Sequence, residues 1–147
     1  MNAFHITSFE PRDAEPLRQL LQDADLTVSD LAPEWLGHFL IARQGTDVVG
    51  AAGIERYGEA GLLRSVAVRI DRRGSGLGKR LVQAMEMQAG QLGVRHLYLL
   101  TTTAPEFFSV LGYRQLGRDA APSAIRTSTQ FSELCPASAV FMVKQLD

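Results

Sequence analysis

The sequence predicts an α+β domain, a mixed sheet with helices packed on it. Three observations carry this expectation. The chain has 147 residues, enough for one domain over residues 1–147 with one sizeable core. The spacing of apolar residues changes along the chain, from alternation in twos to steps of three and four and back again. The elements read from that spacing follow a ββ–β–α–β–α–β–β order, without internal repeat, low-complexity run or linker.

The elements can be justified in turn. Phe4, Ile6 and Phe9 among polar neighbours predict a strand near residues 3–8. Asp13 can cap a helix whose apolar face is Leu17, Leu20, Leu21 and Ala24, with Pro16 tolerable in the first turn. A looser, partly helical stretch follows over 26–36. Phe39–Ala42 reads as a strand, Gln44–Asp47 as a hairpin turn and Val48–Tyr57 as the returning strand. A second turn at Tyr57–Gly61 leads into a long strand, Leu62–Val68. The next helix carries Leu77, Leu81, Ala84, Met85, Ala89 and Leu92 on one face, and Gly90 and Gly93 bracket its end. His96–Thr101 is a buried strand, Pro105–Leu111 a short helix ending at Gly112, and Tyr113–Leu116 the start of another strand. A short helix is expected within 119–135. Ala139–Lys144 closes as a strand with Val140, Met142 and Lys144 alternating against Phe141 and Val143.

Composition narrows the function classes. There are 15 basic and 16 acidic residues, so net charge gives no argument for a nucleic-acid partner. No apolar run is long enough to span a bilayer and the N-terminus does not read as a signal peptide, so no membrane partner and a cytoplasmic setting are expected. The single Cys135 forms no internal disulfide; it could line a pocket, and it lacks an evident His partner for covalent chemistry. His5, His38 and His96 are widely scattered, and no metal-ligand spacing is visible.

The segment between the strand at 62–68 and the following helix is the most informative. Arg72-Arg73-Gly74-Ser75-Gly76-Leu77-Gly78 is a glycine-rich turn running into a helix start. Glycines let the backbone approach a ligand closely, the first N–H groups of a helix lack internal partners, and the helix dipole favours negative charge there. Arg64, Arg69, Arg72, Arg73, Lys79 and Arg80 lie in this stretch against one acid, Asp71. The nucleotide P-loop pattern fails, because Arg80 follows Gly78-Lys79 and Arg73 stands where the earlier glycine is required. The dinucleotide fingerprint fails at Lys79. A tight turn with incidental charge remains the alternative for the glycines alone.

The residue pattern adds a resemblance. Arg73-x-x-Gly76-x-Gly78 is similar to the Arg/Gln-x-x-Gly-x-Gly/Ala signature of the GNAT superfamily of N-acetyltransferases. Leu62–Val68 resembles the fourth strand of that family. Ala104–Tyr113, with Phe107-Phe108 and Gly112, resembles its aromatic-pair helix ending in Gly-Phe. The resemblance implies a mostly antiparallel sheet of about six to seven strands in which the parallel strands at 62–68 and 96–101 splay apart. It implies acetyl-coenzyme A as co-substrate, with pantetheine against the strand edge Val66-Ala67-Val68. The diphosphate would sit in the loop Arg73, Gly74, Ser75, Gly76, Leu77, Gly78 and Lys79. A backbone N–H near Val66 would polarise the thioester carbonyl.

Catalytic residues are implied less sharply. The position of the family's usual acid, a tyrosine beside the cofactor, is occupied by Phe108, which cannot donate a proton. Tyr113 is a poor substitute, because that position packs inward in the family. For the base, Glu55 is the first candidate and Glu59 the second; the alternative for Glu55 is a solvated strand-end carboxylate.

The acceptor is read by a closer resemblance. Leu99–Ala104 with Phe107-Phe108 resembles the acetyltransferase domain of N-acetylglutamate synthases. Leu63–Val68 together with Thr129-Gln130-Phe131 and Leu134-Cys135-Pro136 is similar to the small acetyltransferases of bacterial arsenic-resistance operons. Both imply a small α-amino acid, glutamate-like or an analogue. Arg64 would then grip a carboxylate, unless it points to the other sheet face. Thr101, Thr102 and Thr103 would lend hydroxyls to the pocket or simply finish a strand, and Arg126 and Gln130 would fold over the acceptor. Relatives often pair, so a homodimer belongs to the expectation. A coenzyme-A-binding sensor or interaction module without turnover is the competing class, and Phe108 is the residue in its favour.

Overall fold

A computed structural model describes residues 4–24, 26, 38–102, 104–128 and 139–146. Seven strands, β1 (His5–Ser8), β2 (Leu40–Gln44), β3 (Asp47–Tyr57), β4 (Ala60–Val68), β5 (His96–Thr101), β6 (Arg114–Gln115) and β7 (Val140–Gln145), form one mixed sheet in the order β1-β2-β3-β4-β5-β7-β6. The described helices are α1 (Ala14–Asp23), α2 (Leu77–Gln91), α3 (Pro105–Val110) and α4 (Ser123–Arg126). The α+β class expected from the sequence is therefore found. The chain forms two compact units, one of Met1–Ile54 and Ser65–Met87, the other of Glu55–Arg64 and Gln88–Asp147. Among the described residues no helix is long and apolar enough to cross a membrane.

In the first unit β1, β2 and β3 are antiparallel neighbours. The spacing of Leu17, Leu20 and Leu21 does what it predicted: all three are buried, against Phe39, Ile41, Ala51 and Ala67. Successive strand residues face opposite ways. Ala51 accordingly meets the α1 cluster, while a Cβ built on Gly50 would lie 2.8 Å from Leu81 and 3.3 Å from Leu77 of α2. Gly50 thus lets the start of α2 lie directly on β3. Gly53 does the same for Phe39, whose ring would stand 2.6 Å from an added Cβ. On α2 the buried residues are Leu77, Leu81, Val82, Met85 and Ala89; Val82 takes the place expected for Ala84, which is half-buried.

Asp13 stands at the N-cap of α1 without making a side-chain cap bond. Its carboxylate turns back to the Glu10 N–H (2.7 Å) and to both terminal nitrogens of Arg43 (2.5 and 2.6 Å). The β2–β3 register shifts between Ala42 and Arg43, a bulge that coincides with the inward turn of this arginine. The loose stretch expected over 26–36 lies outside the described residues, except Leu26.

In the second unit β5 pairs antiparallel with β7 along its whole length, and β6 pairs with β7. Phe141, Met142 and Val143 are all buried, so β7 is covered on both faces rather than alternating as its sequence suggests. Leu62, Ala121, Ile125 and Phe141 form a core with Tyr57, Ala60, Tyr98, Leu100 and Leu116 around it. Tyr98 stacks on Phe141 at 5.5 Å between centroids. The short helix expected within 119–135 is α4.

Candidate active site

Three consecutive main-chain features prepare the glycine loop. The parallel ladder of β4 with β5 couples Ala60, Gly61 and Leu62 to His96, Leu97 and Tyr98, and stops there, although β4 runs on to Val68 and β5 to Thr101. Ser65 then takes φ 57°, a left-handed value that is uncommon for a residue with a side chain and tends to mark functional positions. Burial does not alternate along β4: Gly61, Leu62, Leu63 and Arg64 are all buried, and Ser65 and Val66 are both half-buried. Ala67 packs into the α1 core, while Val66 and Val68 remain half-buried.

After β4 the chain makes a helical turn at Ile70–Arg72 and enters the loop. Gly74 has φ 80° and Gly76 φ 83°, and a Cβ at either would meet nothing within 4 Å. Glycine is required there by conformation, and the space in front of both is open. The first helical hydrogen bond runs from the Arg80 N–H to the Gly76 carbonyl (3.1 Å). The N–H groups of Leu77, Gly78 and Lys79 therefore precede it and have no acceptor within the helix. Leu77 is 1% exposed, so its contribution to a ligand is its N–H, while its side chain fixes the helix start to the core. This open cradle of amide donors is what a diphosphate requires, and the residues fit acetyl-coenzyme A on that ground.

The cations around the loop are less free than their number suggests. Arg69 donates to both oxygens of Asp71 (2.7 and 3.1 Å). Arg72 donates to Gln44 (2.5 Å) and Asp71 (3.1 Å). The hydrogen bonds from Arg69 hold the Asp71 carboxyl below the usual carboxylate range, with lesser help from Arg72. Arg73 is exposed and donates through Nε to the Val68 carbonyl (3.2 Å). Lys79 is exposed, and the Arg80 guanidinium lies 6.0 Å from the Phe4 ring centroid.

The second unit holds the expected acceptor-side residues. Glu55 is buried and Arg64 with it; Arg64 Nη1 donates to Glu55 Oε2 at 2.7 Å, with the Arg64 side chain 1% exposed. The Tyr57 hydroxyl donates to Glu55 Oε1 at 2.5 Å. Glu55 is thus not a solvated strand end. Arg64, expected to grip a substrate carboxylate, is tied to Glu55 through one of its terminal nitrogens. Sequence reasoning missed Tyr57. The available signal was its position two residues beyond Glu55, on the same face of one strand.

Other expected residues have local partners. Glu59, the second candidate base, is exposed and pairs with Arg95 Nε at 3.6 Å. Phe108 is 7% exposed, packed edge-on to Phe107 (5.0 Å) and Tyr113 (5.6 Å), so it is a core aromatic before it is a cofactor contact. Tyr113 points inward, as the family position implies. Thr101 Oγ1 accepts the Ala104 N–H (3.0 Å) and so shapes the entry to α3, while Thr102 is exposed. Arg126 is exposed and donates to the Asp119 and Ala121 carbonyls (2.9 and 3.2 Å) of its own segment. Thr103, Gln130 and Cys135 lie outside the described residues.

Comparison with known proteins agrees with this geometry. The acetyltransferase (GNAT) domain family matches residues 35–115, just over half of the chain. An uncharacterised N-acetyltransferase of Chlorobaculum tepidum is 29% identical over 115 residues, covering 77% of this chain and 74% of its own. An amino-acid acetyltransferase of Mannheimia succiniciproducens is 34% identical over 77 residues, 51% of this chain but only 17% of that relative's length. Among solved structures, N-acetylglutamate synthase from Neisseria gonorrhoeae, complexed with coenzyme A and N-acetyl-glutamate, superposes with a TM-score of 0.86 at 18% identity. The superposition covers all of this chain and 36% of that one, so it speaks for the fold. With the loop, the interrupted ladder and the matched residues in agreement, the chain belongs to the GNAT acetyltransferase family.

Proposed function

We propose that the protein is an acetyl-coenzyme A-dependent N-acetyltransferase whose acceptor is the amine of a small amino acid, glutamate-like or an analogue of the arsenic-resistance type. The observation that carries the reading is the loop: two glycines at positive φ facing open space, directly ahead of three helix-start amides. Acetyl-coenzyme A supplies a thioester from which acetyl passes to the amine. Gly74–Lys79 hold its diphosphate through main-chain N–H groups, with Lys79 and Arg73 adding charge. The Val66 N–H, which follows the left-handed Ser65, would donate to the acetyl carbonyl and withdraw electron density from it.

On the acceptor side Glu55 takes the ammonium proton. A carboxylate offers about four acceptor sites, and Tyr57 and Arg64 use one on each oxygen, so a substrate amine or a bridging water can still be bonded. Arg64 and Tyr57 are positioning residues here. They fix the orientation of the Glu55 carboxylate toward the amine it would deprotonate. The names of the amino-acid acetyltransferase relatives support an amino-acid acceptor, and a cytoplasmic homodimer belongs to the same proposal.

A second reading, a coenzyme-A-binding sensor without turnover, is favoured by Phe108, whose buried ring carries no proton for a departing thiolate. The two separate in a thiol-release assay with acetyl-coenzyme A over the standard amino acids and glutamate analogues bearing phosphinyl or arsinyl groups. Release with an α-amino acid, lowered about a hundredfold or more by Glu55→Gln, is the expected result. Coenzyme A binding without release from any amine would establish the second reading instead.

A further inference from the structure

We propose that Gln44 and Asp71 are positioning residues for the cofactor loop. They clasp Arg72 from the side so that the loop is already in its ligand-holding shape before acetyl-coenzyme A arrives. The inference rests on the reading of Arg73–Lys79 as the diphosphate loop.

The pieces are neighbours within one unit of the fold. β2 ends at Gln44, the chain turns through Gly45 at φ 64°, and β3 begins at Asp47. This hairpin end offers one neutral oxygen and one carboxylate to the segment after β4. Gln44 Oε1 accepts from Arg72 Nε at 2.5 Å, and Asp47 stands 3.9 Å from Arg69. Asp71, between the two arginines, accepts from both. The main chain closes the same connection, because the Arg69 N–H donates to the Val49 carbonyl of β3 at 2.8 Å.

The clasp acts on the loop through one further bond. The Ser75 hydroxyl donates to the Arg72 carbonyl at 2.6 Å. Ser75 lies between Gly74 and Gly76, the two residues with most conformational freedom to lose when a ligand is held. Arg72 is therefore tied at its side chain to the hairpin and at its carbonyl to the middle of the loop. A loop ordered in advance gives up less entropy on binding, so the clasp appears in affinity for the cofactor and not in the chemistry. Gln44 carries no charge and takes no part in the amide cradle. Its effect has to be transmitted through Arg72.

The rival account is purely electrostatic: Arg69 and Arg72 act as diffuse positive charge for the diphosphate, and Asp71 merely weakens them. The two accounts give opposite signs for Asp71→Asn. Coenzyme A alone is the probe, titrated calorimetrically into the full chain at low and moderate salt. The clasp predicts that Gln44→Ala weakens coenzyme A about fivefold, the worth of one lost hydrogen bond. Gln44→Glu, which keeps an oxygen for Arg72, should bind within about twofold of the parent by the same accounting. Asp71→Asn should bind more weakly, and all three variants should keep the parent unfolding midpoint. Unchanged affinity in Gln44→Ala, or tighter binding with a steeper salt dependence in Asp71→Asn, overturns the clasp. Gly76→Glu separates this from the reading beneath it. If Gly76→Glu abolishes binding while Gln44→Ala does nothing, only the clasp falls. If Gly76→Glu binds as well as the parent, the loop assignment falls with it.

Discussion

Arg43 and Gln44 are adjacent at the end of β2, yet they serve two networks of different character. Arg43 turns inward at the bulge to Asp13, with Thr7 and Glu10 completing its bonds. Gln44 reaches the exposed cluster of Arg69, Asp71 and Arg72. Both networks join an arginine to a carboxylate at similar distances. The Asp13 side chain is 2% exposed, whereas that of Asp71 is 56% exposed. Water screens the second and is excluded from the first, so equal geometry does not mean equal energy. The buried network belongs to the stability of the fold, and the exposed one to the shape of a loop.

The largest test of this contrast is Asp13→Ala. It leaves the buried Arg43 with only the half-exposed Glu10 as a carboxylate partner and takes an acceptor from the Glu10 N–H, and loss of one partner of a buried pair costs up to about 3–5 kcal/mol. Denaturant unfolding should show that loss while coenzyme A affinity of the folded protein stays at the parent value. A loss below about 1 kcal/mol, the surface-pair range, would erase the contrast.

Acid sharpens it next. Hydrogen bonds from Arg43, opposed by burial, hold the Asp13 carboxyl below its ordinary value of 3.8. A carboxyl lowered on folding contributes stability that is fully present above the unfolded value and disappears as pH falls through the folded one. The stability difference between the parent and Asp13→Asn should therefore be constant near neutrality and shrink only below pH 3.8. A difference that already fades between pH 5 and 7 would place the responsible group elsewhere. The smallest expected effect is the stability of Asp71→Asn. Its unfolding midpoint should coincide with that of the parent, and a clear drop would show that the exposed network also holds the fold.

The same division explains what could be read ahead of the structure. α1 and the glycine loop were legible because their signals are local. Leu17, Leu20 and Leu21 share a helix face by spacing alone, and Gly74 and Gly76 announce φ values that other residues avoid. Burial on both faces of β7 was not legible, since alternation records a solvent-facing side only where one exists. Glu55 was picked out as a carboxylate near the acceptor, but its ties to Arg64 and Tyr57 were not visible. The excess of cations around the loop is legible in the sequence, and their partners are not. Arg69 and Arg72 look alike in sequence whether they face a ligand or Asp71.

What the sequence determined by itself was the amide cradle, because its chemistry lies in the main chain of seven consecutive residues, Arg73–Lys79, and in the helix that follows. What only the tertiary structure decided was which charges remain available to it. Arg72 meets Gln44 across a separation of 28 residues, and Arg43 meets Asp13 across 30. Contacts of that range are set by how strands pair and where a bulge turns a side chain, and no local spacing encodes them.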